Sequence, residues 1–128
     1  MSLMSRIILF LNAAVIALIG LAYLYDPNVL LANYGLSTDG PGIDNMLRGT
    51  YGGLFLCMAG LFGWGVINTA RRSDALGLLA LFMGGQALGR IASLAMVGMP
   101  DVSILSLLAY EIIMFAIALF LYRQTAST

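Results

Sequence analysis

The sequence predicts an all-α protein: an integral membrane four-helix bundle with a short interfacial helix in its first outer loop. Two observations point to this class. Of 128 residues, 61% are hydrophobic and 9% charged, against roughly half and a quarter in ordinary globular domains. Six basic and six acidic side chains cannot give a chain of this size a water-compatible surface. Four apolar runs, at about 7–25, 45–68, 75–96 and 104–122, then divide a single domain spanning 1–128. Each is near the 20 or so residues that cross a bilayer as a helix. None shows the ten-residue alternation of an outer-membrane strand. Backbone in hydrocarbon must satisfy its own hydrogen bonds, so helix is the expected state.

The first run, Ile7 to Tyr25, carries no charge. Arg6 ahead of it gives it the look of a signal peptide, but the run is long. It ends in Leu21-Ala22-Tyr23-Leu24-Tyr25-Asp26 instead of a small-x-small cleavage site, so an uncleaved helix is expected. In the 26–44 connection, Asp26 suits a cap and Pro27 a first helical position. Val29, Leu30, Leu31 and Tyr34 follow, and Gly35 is a stop signal. This predicts a helix at about 27–34 lying in the interface, the alternative being a plain tether. Ser37 to Gly42 reads as turn and loop. The second span, Asn45 to Asn68, carries Arg48, the third, Ala75 to Met96, carries Arg90, and the fourth, Ile104 to Tyr122, carries Glu111. Arg6, Arg71, Arg72 and Arg123 fall on one side of such a four-span layout, with Asp26, Asp39, Asp44 and Asp101 on the other. The positive-inside rule then puts both termini in the cytoplasm.

Composition also excludes functions. There is no His, so histidine-ligated haem, the commonest zinc and copper sites and a His general base are out. With six Arg and as many acids there is no basic field for nucleic acid. The lone Cys57 cannot close an internal disulfide, and no cofactor or metal is expected.

Lipid tails are as apolar as Leu, so close backbone approach must help hold the helices together. Gly49 and Gly53, continued by Cys57 and Gly60, form one small-residue stripe, and Gly85 and Gly89, continued by Ala92, form another. Both are expected at helix contacts within the chain, or at a homo-oligomer or partner-protein interface.

The embedded charges cluster by depth. At 1.5 Å of rise per residue, Arg48 lies roughly 5 Å from the outer end of its span, Arg90 roughly 9 Å, Glu111 roughly 10 Å and Gln86 roughly 15 Å. Asn12 is the obvious buried polar group of the inner half. A charge at the middle of a membrane helix costs about 2.5–3.5 kcal/mol on insertion scales. Arg48 is shallow enough to snorkel, or to be claimed by Asp26 or Asp44. Arg90 and Glu111 are deeper, and a two-pronged guanidinium–carboxylate pair would satisfy both. The set Arg48, Tyr51, Gln86, Arg90 and Glu111 is therefore the candidate ligand-binding site.

These residues also carry a resemblance. Arg48-Gly49-Thr50-Tyr51-Gly52-Gly53, Gly84-Gly85-Gln86-Ala87-Leu88-Gly89-Arg90 and Glu111, together with Asn12 and Asp26-Pro27, resemble a bacterial family of small four-helix membrane proteins. That family is catalogued as a domain of unknown function and is broadly similar to the DoxX-like membrane proteins. The resemblance implies a four-helix bundle in the cytoplasmic membrane and no settled activity or cofactor. Some DoxX-like proteins are associated with redox or quinone-linked systems, but no site motif here carries that over.

Three functions fit this reading. One is a module that binds a membrane lipid or an amphipathic or anionic small molecule in an outer-leaflet pocket. Another is a non-catalytic accessory subunit in which Arg90 and Glu111 clamp two helices. The third is a lipid-phase enzyme with Glu111 as acid/base, which the absence of His, Lys and an activated Cys disfavours.

Overall fold

The computed structural model describes residues 3–126, so positions 1–2 and 127–128 of the expected domain lie outside the described residues. Helix α1 (Leu3–Tyr25) leads into a short α2 (Asn28–Leu31) that tightens into a 3-10 turn at Ala32–Tyr34. Helix α3 (Pro41–Leu47) passes through a π-helical stretch, Arg48–Leu54, into α4 (Phe55–Ile67). A 3-10 turn at Thr69–Arg71 connects to α5 (Arg72–Val97), and α6 (Val102–Ala126) completes the fold. No strand occurs among the described residues.

Four rods, Leu3–Tyr25, Pro41–Ile67, Thr69–Val97 and Val102–Thr125, are long and apolar enough to cross a membrane. The shortest has 23 residues, about 35 Å of helix, which covers the roughly 30 Å hydrocarbon core. The rods pair as two hairpins, α1 along the second rod and α5 along α6, and α4 against α5 joins them. The apolar core is concentrated toward the end of the bundle that carries the Thr69–Arg71 turn, called here the turn end. There Leu9, Phe62, Leu76 and Leu79 are fully buried, with Ala118 and Leu121 closing the α6 side. Toward the opposite end, which carries the 26–40 connection, the helices leave space between them. That end is called the loop end.

Two arginines secure the helix ends. At the turn end Arg72 is buried. Its Nε donates to the Gly65 carbonyl at 2.9 Å and its Nη2 to the Val66 carbonyl at 3.0 Å. These are terminal carbonyls of α4, where cationic donors are favoured. At the loop end Arg48 Nη1 donates to the Leu24 carbonyl and, at 3.0 Å, to the Tyr25 carbonyl, the last of α1. The short helix is also closed as its residues dictate. Asp26 Oδ1 accepts the Asn28 amide at 3.0 Å. Gly35, at φ 67°, lets its own amide reach Ala32 O and the Leu36 amide reach Leu31 O, each at 3.1 Å. That pairing satisfies carbonyls that a helix end leaves free. The Asn28 side chain holds the following strand of loop through Thr38, whose amide donates to Asn28 Oδ1 at 2.9 Å.

Two expectations are corrected. The second rod starts at Pro41, so Pro41 and Gly42 belong to helix and not to the Ser37–Gly42 loop; Gly40, at φ 112°, makes the turn, and Pro41 fits the first helical position. The glycines that pack helices within the chain also differ from the expected ones. A Cβ on Gly49, Gly85 or Gly89 would meet nothing within 4 Å, and one on Gly53 only the Arg48 carbonyl oxygen at 3.9 Å. Close approach falls instead on Gly52, whose Cβ would lie 2.8 Å from Leu24 Cδ2, on Gly84, 2.9 Å from Phe115, and on Gly65, 2.4 Å from the Ala75 Cβ. On the second rod the reason is the π stretch. Its longer hydrogen-bond reach puts more residues into each turn and displaces the face that regular spacing predicts. On α5, the Gly77 and Gly84 face meets α6 and the Leu76, Leu79 and Met83 face meets the core. Gly85 and Gly89 are left on a third, open face.

Candidate functional site

The last turns of α5 and the first of α6 lie side by side at the loop end. Arg90 and Glu111 therefore reach equal depth, as the rise per residue predicts. Arg90 Nε donates to both Glu111 oxygens, at 2.9 Å and 2.8 Å. The expected two-pronged fork does not form, because one nitrogen serves the whole carboxylate. Arg90 Nη1 and Nη2 consequently have no protein acceptor among the described residues. The Glu111 side chain is 5% exposed and that of Arg90 29%.

Arg90 borders a cavity of about 370 Å³ lined by residues of all four rods. Its apolar walls come from Ile16 and Ile19 on α1, Phe55 on α4, Met83 on α5 and Leu107 on α6, while Leu30 and Tyr34 of the short helical segment roof it. The polar contributions come from Arg90, Glu111, Gln86 and the tyrosines. Gln86, one turn before Arg90 on α5, makes no hydrogen bond within the protein among the described residues, and neither does the Tyr51 hydroxyl. Tyr51 is held by its ring, stacked on Tyr23 at 5.1 Å between centroids and edge-on to Phe55 at 5.3 Å. Phe82 extends this aromatic contact to Phe62 of the core.

The boundary toward the core is polar but closed. Asn12 is fully buried; its Nδ2 donates to the Ile8 carbonyl at 2.8 Å, and its Oδ1 accepts the Tyr110 hydroxyl at 2.8 Å. No buried side-chain N or O among the described residues lacks a partner. A second space, about 350 Å³, shares the lining residues Tyr51, Gln86 and Arg90 with the first. It runs between the outer parts of α5 and α6, past Gly85, Gly89 and Ser93 toward Pro100.

Four of the five sequence-selected residues, Tyr51, Gln86, Arg90 and Glu111, thus border one cavity. Arg48 does not join them. Asp44 takes its Nε at 2.5 Å and its Nη2 at 3.3 Å, and the end of α1 takes Nη1. Its alternative partner Asp26 is engaged in the Asn28 cap instead. Sequence reading missed Tyr23, Tyr34 and Tyr110. Tyr110 had a signal, since it precedes Glu111; Tyr34 lies on the predicted short helix, but nothing in the sequence indicates that this helix folds over the bundle.

The geometry gives a space that is net neutral, because Glu111 balances Arg90, yet rich in unengaged donors at one point on an apolar wall. Such a space can orient a polar head by hydrogen bonds while apolar side chains cover its tail. A family model described as Domain of unknown function (DUF4345) matches residues 4–122 of the chain. No curated protein and no solved structure matches it.

Proposed function

The chain belongs to the DUF4345 family, and from that premise we propose that it is a membrane binding protein for a neutral amphiphile. The head of this ligand carries hydrogen-bond acceptors such as carbonyl or ester oxygens. The observation that carries the reading is the pair of unpartnered Nη groups of Arg90, beside a mostly apolar, protein-lined cavity. Gln86 and Tyr51 supply further donors beside them, and the apolar walls take the tail.

Charge selects among ligands. An anionic head would need Arg48 as a free second cation. With Arg48 bound to Asp44, one cation faces one carboxylate and the sum is zero. An anion would then sit against Glu111 in a low-dielectric space, where like charges repel strongly. A cation would meet the outward N–H groups of Arg90. Both oxygens of Glu111 already accept from Arg90, which supports binding over acid/base catalysis. The Arg distribution supports a cytoplasmic-membrane location with the turn end and both termini on the cytoplasmic side, and the cavity in the outer leaflet. A bacterial, DoxX-like setting rests on the motif resemblance.

The test is native mass spectrometry of the protein reconstituted with three probes sharing one chain: methyl dodecanoate, dodecanoate and dodecylammonium. The ester is expected to occupy the protein most, the carboxylate less and the amine least. Equal occupancy by all three, or none by the ester, would refute the reading.

A further inference from the structure

We infer that the space between the outer parts of α5 and α6 is the passage by which the amphiphile reaches the cavity, and that Gly85 and Gly89 keep it open. The inference rests on the binding reading above and adds the route and the residues that set it.

Three observations carry it. First, Tyr51, Gln86 and Arg90 line both spaces, so the groups that would hold the head in the inner cavity also face the outer space. Second, the two spaces differ in lining. The inner one is lined by all four rods and by Leu30 and Tyr34. The outer one has Arg90, Gln86 and Ser93 along one side and Ile104, Leu105 and Leu108 along the other. An amphiphile moving through it keeps both its ends in compatible surroundings. Third, Gly85 and Gly89 are exposed, border this space and touch nothing: a Cβ on either would find no atom within 4 Å. Packing within the chain therefore does not require these glycines, although each costs the helix about 0.5–1 kcal/mol relative to Ala. What their lack of side chains does provide is clearance beside Arg90. Tyr51 and Gln86 make no hydrogen bond that would have to break as the head passes.

The experiment follows the exchange of methyl dodecanoate between donor nanodiscs and the reconstituted protein by time-resolved native mass spectrometry. Gly89→Leu narrows the passage from α5, and Leu105→Trp fills it independently from α6. Gly49→Leu, equally free of contacts but bordering neither space, is the control. Both passage variants are expected to slow uptake and release by about tenfold while equilibrium occupancy stays within about twofold of wild type. The control should exchange at the wild-type rate. Unchanged rates in Gly89→Leu and Leu105→Trp, with the wild type binding, overturn the passage and leave the binding reading standing. Lost occupancy at an unchanged uptake rate also overturns it, because the substituted positions would then belong to the head site. A wild type that takes up no probe overturns both.

Discussion

Removing Arg90 should harm the fold more than removing Glu111, and removing both should harm it least. Breaking a buried ion pair by deleting one partner costs about 3–5 kcal/mol in soluble proteins, mostly because the other charge is stranded. Unfolded chains in a membrane or detergent also find partners for polar groups, which favours the lower end. Arg90→Leu strands Glu111, whose side chain is 5% exposed, and should cost about 3 kcal/mol. Glu111→Leu strands Arg90, whose side chain is 29% exposed and has a long stem with which to seek water; about 1–2 kcal/mol is expected. The double variant replaces both ions by apolar groups and should lie within about 1 kcal/mol of wild type. The assay is SDS titration in mixed micelles followed by far-UV circular dichroism. Additive single costs in the double variant would refute the pairing argument.

Further predictions concern packing within the bundle. Asn12→Leu leaves the Tyr110 hydroxyl without its acceptor and should cost about 1–3 kcal/mol; adding Tyr110→Phe should recover part of it, read by the same titration. Gly65→Ala brings a Cβ to 2.4 Å from that of Ala75 and should destabilise by about 1–3 kcal/mol. Gly49→Ala meets nothing and should be neutral or stabilising by up to about 1 kcal/mol.

The sequence made the spans legible because hydrocarbon imposes a length and forbids unpaired backbone, and both constraints act on composition alone. The meeting of Arg90 with Glu111 was legible for a related reason. Two helices joined by the short turn after Val97 share an origin of depth, so counting residues back from it compares their positions. Arg48 shows where counting stops. Its Asp44 partner stands at i−4, a spacing that favours pairing on a helix, but its hold on Leu24 and Tyr25 belongs to a neighbouring rod. The glycine faces were illegible on the second rod because nothing local announces that Arg48–Leu54 adopts π geometry. On α5 the Gly85–Gly89 spacing suits a helix contact, but which face meets a partner depends on where α6 docks. Tyr34 borders the cavity only because its segment folds back over the rods, a consequence of tertiary packing alone.

The most direct test of the account is ester occupancy in the Arg90→Leu/Glu111→Leu double variant, which keeps the fold while removing the charged head contacts. Hydrogen bonds to a charged group contribute about 1.5–3 kcal/mol each. Methyl dodecanoate binding should therefore weaken by about tenfold or more relative to wild type. A folded double variant that retains the ester as well as wild type would contradict the account.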